Sequence, residues 1–177
     1  AWTFGWSKSP LEDFERCEEL IQQAKELDDD LSIVYAISSM VWLFKMDHKK
    51  SLEEAKRAIT LGPNDPLGYA SLAWTEYFLG NFKEAVSLCE KTERLTPYRP
   101  PHQLMVAGWS YRMAGKYEEA LSVFNEILDR AQRGEFSILM AHNYLAATYA
   151  MQGNMSKARF HAAEVLKIDP NHSLDFN

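Results

Sequence analysis

Residues 63–97 read PNDPLGYASLAWTEYFLGNFKEAVSLCEKTERLTP. The stretch opens on a breaker, Pro63-Asn64-Asp65-Pro66, in which Asp65 is placed to cap a helix and Pro66 to start one. Tyr69, Leu72, Ala73 and Tyr77 then recur at the spacing of one helical face. Gly80-Asn81 turns the chain, Phe82, Ala85, Leu88 and Leu95 mark a second helix, and Pro97 closes the unit. Pro63 and Pro97 stand 34 residues apart, and so do Tyr35 and Tyr69. A two-helix unit of this length cannot bury its apolar face alone, so it must stack on copies of itself.

The same cues return on either side of this stretch. Gly108, Tyr111, Gly115, Tyr117, Ala120, Phe124 and Leu128 mark a following unit, and Leu145, Ala146, Tyr149, Gly153, Ala158, Val165, Ile168 and Pro170 another. The turn glycines Gly80, Gly115 and Gly153 are spaced 35 and then 38 apart. The additions fall in Tyr98-Arg99-Pro100-Pro101 and around Arg130 to Glu135, loops that can lengthen without disturbing a packed seam. Upstream, helices are expected over Leu31 to Phe44 and from about Ser51 to Leu61, with Met46 in the turn place that glycine holds elsewhere and Ser51 in the place of the crossing alanine. Ser9-Pro10-Leu11-Glu12 opens a further helix with a capping box, and Leu11, Phe14, Cys17, Ile21, Ala24 and Leu27 form its apolar stripe up to Asp28-Asp29-Asp30. The expected layout is a partial unit at 1–30, full units at 31–64, 65–99 and 100–135, and a last unit with its tail at 136–177.

These residues follow the tetratricopeptide-repeat pattern, and the resemblance runs from about Leu31 to Pro170. Small residues (Ala73, Gly108, Ala146; Ala85, Ala120, Ala158) stand where helices cross closely, and aromatics (Tyr77, Phe82, Tyr111, Tyr117, Tyr149) fill the gap between neighbouring units. The resemblance implies an all-α fold, a right-handed superhelical solenoid of about nine helices, with protein–protein interaction as its work. A narrower resemblance runs through Phe4-Gly5-Trp6-Ser7-Lys8-Ser9-Pro10, Leu27-Asp28-Asp29, Ala162 to Pro170 and Ser173-Leu174. It is similar to the repeat region attached to bacterial class III adenylate or guanylate cyclases. It implies a regulatory module of a cytoplasmic signalling protein. None of the cyclase's own catalytic residues is in this sequence, so no catalytic role is implied for it. The sequence begins at Ala1 without a signal-peptide layout, and an excised piece of a longer protein is expected.

Composition narrows the partners. Hydrophobic residues make up 46% of the chain and aromatics 12%, ample for a continuous core. The net charge of −6 runs against a nucleic-acid partner, which needs a basic footprint. Leu31 to Phe44, interrupted by Ser32, Ser38 and Ser39, is too short for a bilayer, so no membrane partner is expected. Cys17 and Cys89 lie 72 residues apart inside helical patterns and read as reduced core thiols.

The first helix of each unit lines the concave groove in the resembled family, and spacing selects its outward face. That face holds Ile33, Ala36, Met40, Leu43 and Phe44, then Leu67, Ala70, Trp74, Tyr77 and Phe78. It continues with His102, Met105, Trp109, Arg112 and Met113, then Met140, Asn143, Ala147, Ala150 and Met151. The expected partner-binding residues are Met40, Phe44, Leu67, Trp74, Tyr77, Phe78, His102, Met105, Trp109, Arg112, Met113, Asn143 and Met151. Met and aromatic surfaces suit an amphipathic helix or an apolar extended segment, with Arg112 and Asn143 orienting it. Repeats that grip the acidic tails of chaperones carry Lys, Arg and Asn in these places, where this chain has only Arg112 and Asn143 of that type. Trp74 and Trp109 have a second reading as core between neighbouring units.

Two rival roles stay open: an external protein or peptide, or a clamp or dimerising module acting in cis on a parent enzyme. The first and last helices lack polar caps, and burying a few hundred Å² at roughly 25 cal/mol per Å² would favour self-association, so a homodimer is a further expectation.

No chemistry is expected. His142 and His161 can approach each other, but no thiol or carboxylate has an evident ligand relation to them, so no metal and no cofactor is called for. Glu53-Glu54 and Glu118-Glu119 are placed in first helical turns, where the helix dipole explains them. There is no phosphate-binding glycine loop, nucleophile elbow or cysteine–histidine pair at useful spacing. The chain is expected not to be an enzyme.

Overall fold

A computed structural model describes residues 10–96 and 98–172, and among them every regular element is an α-helix. The chain divides into two compact units, 1–97 and 98–177. The first holds α1 (Pro10–Leu27), α2 (Ser32–Phe44), α3 (His48–Leu61), α4 (Pro66–Phe78) and α5 (Phe82–Leu95). The second holds α6 (Pro101–Met113), α7 (Tyr117–Gln132), α8 (Ile138–Gln152) and α9 (Met155–Ile168). Ser9 of the expected capping box, the rest of the phrase from Phe4 up to it, and Ser173-Leu174 lie outside the described residues.

Four turns of one design join α2 to α3, α4 to α5, α6 to α7 and α8 to α9. Each puts one residue in the left-handed region: Met46 at φ 64°, Gly80 at 82°, Gly115 at 77° and Gly153 at 88°. The next residue's N–H reaches back five positions, Asp47 to Trp42, Asn81 to Glu76, Lys116 to Tyr111 and Asn154 to Tyr149, at 2.8–2.9 Å. These bonds satisfy carbonyls that a helix end leaves open, and only glycine enters that region without a Cβ penalty. Met46 therefore carries strain while its side chain stays 69% exposed. Replacing Met46 with Gly should raise stability by about 0.5–1 kcal/mol, read by urea unfolding. A loss of stability would show that the Met46 side chain contributes more than its backbone costs.

In the first unit α2 packs on α3 and α4, and α4 packs on α5. Their crossings are closed by small residues, with Ala55, Ala58, Ala73 and Ala85 fully buried. Ser51, in the place of a crossing alanine, is also fully buried, and its hydroxyl explains why it is tolerated. Its Oγ lies 3.2 Å from Ser39 Oγ and 2.7 Å from Thr75 Oγ1, and Thr75 donates to the Ser71 carbonyl at 3.0 Å. One chain of hydroxyls thus ties three helices, each member satisfied as burial demands. Asp65 accepts from Leu67 N–H and from Ser32 Oγ, fixing the starts of α2 and α4 together.

In the second unit Leu104, Phe124, Ile127 and Leu145 are fully buried at the centre. Gly108 is required on α6 because a Cβ there would lie 2.4 Å from Phe124 Cε1. Glu126 of α7 pairs with Arg99 and Arg130, and Arg130 Nη1 donates to the Arg99 carbonyl at 2.7 Å, which pins the entering loop to α7.

Some expectations shift. α3 begins at His48 with Asp47 capping Lys50 N–H, so Glu53 and Glu54 sit beyond the first turn; Glu54 instead pairs with Lys25 of α1 at 2.7 Å. The addition around Arg130 to Glu135 is partly helical, since α7 runs 16 residues against 14 for α5. Cys89 is buried but Cys17 is exposed, so only the former is a core thiol.

Candidate functional site

The aromatic and methionine residues are placed by helical spacing, and each unit presents its own face. In the first unit Trp74 and Phe78 stack at 6.1 Å, and Tyr77 meets Phe78 edge-on at 5.5 Å and Phe82 at 5.7 Å. Trp74 is only 6% exposed, so it forms the floor of this patch, and Phe78, 46% exposed, is its accessible part. Met40 and Leu67 are half-buried on α2 and α4. Phe44 turns elsewhere, packing on Phe14 of α1 with ring centroids 6.5 Å apart. Spacing gives an angle about a helix axis but does not show which neighbour covers that angle.

In the second unit α6 and α8 carry the methionines. Met113, Met140 and Met151 are exposed and Met105 and Trp109 half-buried, with His102 exposed in the first turn of α6. Trp109 meets Tyr144 of α8 edge-on at 5.6 Å, joining the two helices, and Tyr144 rests on Phe124 at 5.2 Å. Burial pushes the Tyr144 phenol up to about 12, a rise that the Arg112 charge opposes. The Arg112 guanidinium lies 5.8 Å from the Phe124 ring centroid, turned toward this buried cluster. Asn143 is held by the chain's own His172, its Nδ2 3.1 Å from that imidazole's Nε2. Neither polar residue expected to orient a partner is therefore simply presented to solvent. The exposed positions on α6 and α8 are His102, Met113, Ile138, Met140, Ala147, Ala150 and Met151, six of these seven being apolar.

Sequence alone does not show the second unit's polar cleft. It encloses about 860 Å³ beside α7 and the α8–α9 turn, and its lining includes Glu118, Asn125, Gln152 and Lys157. Gln152 donates to Glu118 across it at 2.6 Å.

His142 of α8 and His161 of α9 do meet, Nδ1 to Nδ1 at 2.9 Å, and Tyr149 stacks on His161 at 5.6 Å. A bond of that length needs one nitrogen protonated and the other not, so two imidazolium rings cannot share it. Desolvation lowers both imidazoles below their ordinary value; Glu164 opposes this at both, while His142 and Lys157 add to it at His161. Because the unfolded chain takes up these protons first, the pair's stabilisation is present above pH 6.5 and declines as pH falls through the lowered folded values. The melting temperature of His161→Asn should therefore change less between pH 7 and pH 5 than that of the native chain. Equal slopes would remove the pair from the account. Among the described residues no three His, Cys, Asp or Glu stand close enough to hold a metal ion.

Comparison with known proteins places these helices. Two family models, both described as tetratricopeptide repeat, match residues 71–135 and 106–171. No curated protein matches the sequence. Among solved structures, YrrB, described as a TPR protein with an unusual peptide-binding site, has a TM-score of 0.70 at 21% identity, over 92% of this chain and 81% of its own. PilW, a widely conserved type IV pilus biogenesis factor, has a TM-score of 0.78 at 15% identity over 92% and 73%. TTC0263, a thermophilic TPR protein of Thermus thermophilus, has a TM-score of 0.70 at 17% identity over 91% and 86%. At such identities the likeness is one of fold. The spacing of small residues, the four left-handed turns and the two family matches agree, and the chain is an all-α protein carrying tetratricopeptide repeats.

Proposed function

We propose that this chain is a non-catalytic interaction module that holds an apolar or amphipathic protein segment on the α6–α8 face of its second unit. The observation that carries the reading is that Met113 of α6 and Met140 and Met151 of α8 are exposed, on the two helices that the Trp109–Tyr144 contact joins. Repeats of this family generally mediate protein–protein interaction. Solvent-facing thioethers on adjacent helices are an unusual surface unless something adaptable covers them. The Trp74–Phe78 patch is a second contact surface belonging to the first unit. The peptide-binding site named for YrrB supports a peptide-sized occupant. The unit boundaries at 31–64, 65–99, 100–135 and 136–177 belong to the same proposal.

Selection from a displayed peptide library tests it. The expected binders carry apolar residues at i, i+3 or i+4, and i+7. They should lose about 10- to 100-fold in affinity when Met113 and Met151 are replaced by Glu, since burying unpaired carboxylates costs a few kcal/mol. Binders indifferent to both changes would overturn the assignment.

The finer reading, a control module of a bacterial cyclase in the cytoplasm, rests on the N-terminal phrase Phe4 to Pro10 and on the last helix. Reading the coding region upstream of Ala1 decides it: a class III cyclase domain supports it and a different domain removes it. No helix among the described residues is long and apolar enough to cross a membrane.

A further inference from the structure

We propose that the protein associates head to tail with copies of itself, α9 of one copy seating in the cleft between α1 and α2 of the next. The cleft holds about 220 Å³ and is lined by Cys17, Leu20, Ile21 and Ala24 of α1 with Val34 and Ile37 of α2. Leu20 and Ile37 are 49% and 50% exposed there. On its other side α1 is held by the Phe14–Phe44 contact and by ion pairs from Lys45 to Glu18 and from Lys25 to Glu54. The helix is therefore anchored along one edge and leaves an apolar seat along the other.

The complementary piece is on the same chain. α9 packs on α8 through Ala158 and Val165, its buried residues. Met155, Ala162 and Leu166, spaced i, i+7 and i+11, form a separate stripe that is exposed along its length. Arg159 falls on that stripe.

Charge chooses between the possible pairings. In α1 six acids, Glu12, Asp13, Glu15, Glu18, Glu19 and Glu26, stand against Arg16 and Lys25, a net −4. In α9 Lys157, Arg159 and Lys167 stand against Glu164, a net +2. Two α1 faces would repel, and so would two α9 faces, whereas α1 against α9 attracts. The occupant that fits an apolar cleft with an acidic surround is a basic amphipathic helix, and α9 is one. Such a contact joins unlike surfaces, so it is heterologous, closing as a ring or running on as an open chain. None of its residues belongs to the α6–α8 face, so the two proposals fail separately.

Light scattering on the full chain over a concentration series tests the inference. Mass should rise with concentration at low salt and fall back toward the monomer near 0.5 M salt, where screening shortens the Debye length to about 4 Å. Leu20→Glu, on the α1 side, and Leu166→Glu, on the α9 side, alter exposed positions and should each weaken association more than about tenfold. Mixed in equal amounts they should form a dimer and stop, because each retains the face the other has lost. A monomer at every concentration overturns the proposal, the outcome expected if another segment or partner covers the cleft. Association that survives in either single variant overturns it in favour of like-with-like pairing. A mass indifferent to salt overturns the part assigned to charge.

Discussion

Gly108→Ala should destabilise the chain by about 1–3 kcal/mol even though alanine is the better helix former. The added Cβ would lie 2.4 Å from Phe124 Cε1 and 2.7 Å from Phe124 Cζ, distances that van der Waals contact does not allow. Helix propensity alone would return roughly 1 kcal/mol to the variant, so the clash must exceed that for a net loss. Phe124 cannot swing clear, since it is fully buried and Tyr144 lies 5.2 Å from it. Urea unfolding of the single variant and of the pair Gly108→Ala with Phe124→Leu separates the causes. If the ring is the obstacle, the alanine costs less in the leucine background. An additive pair would place the strain elsewhere.

Phe124→Ala has the largest expected effect, about 3–5 kcal/mol. The ring is fully buried and is approached by Gly108, Tyr144 and the Arg112 guanidinium. Removing it opens a cavity where α6, α7 and α8 meet. The same change withdraws support from Tyr144 and, through it, from Trp109 on the accessible face. Lost stability and lost peptide affinity should therefore appear together, whereas Met113→Glu should lower affinity alone. A Phe124→Ala chain of native stability would contradict the packing described for the second unit.

The repeat was legible because it rests on local requirements. A left-handed turn needs glycine or tolerates strain, a close crossing needs a small residue, and Pro66 suits a helix start; each leaves a mark at fixed spacing. Met46 shows the strength of that logic, since it adopts the glycine conformation at φ 64°. What was not legible depends on neighbours distant in sequence. The Ser39–Ser51–Thr75 hydroxyl chain spans three helices and has no periodic signature. Phe44 lies on the outward face by spacing, yet α1 supplies Phe14 to cover it. Asn143 is engaged by His172, 29 positions later, and Arg112 leans toward a buried ring. Cys17 belongs to an apolar stripe, but the side of α1 on which it lies is left open. In each case spacing sets the direction of a side chain and the tertiary partner decides its exposure.

Photo-crosslinking through diazirine methionine shows whether the α6–α8 face holds the partner. The chain has seven methionines, so one labelled preparation samples several surfaces at once. With a selected peptide bound, crosslinks should concentrate at Met105, Met113, Met140 and Met151. Met46, 69% exposed and on neither proposed contact surface, serves as an accessible control and should stay unlabelled by the peptide. Crosslinks gathered at Met46, or spread in proportion to exposure, would contradict peptide binding on the α6–α8 face.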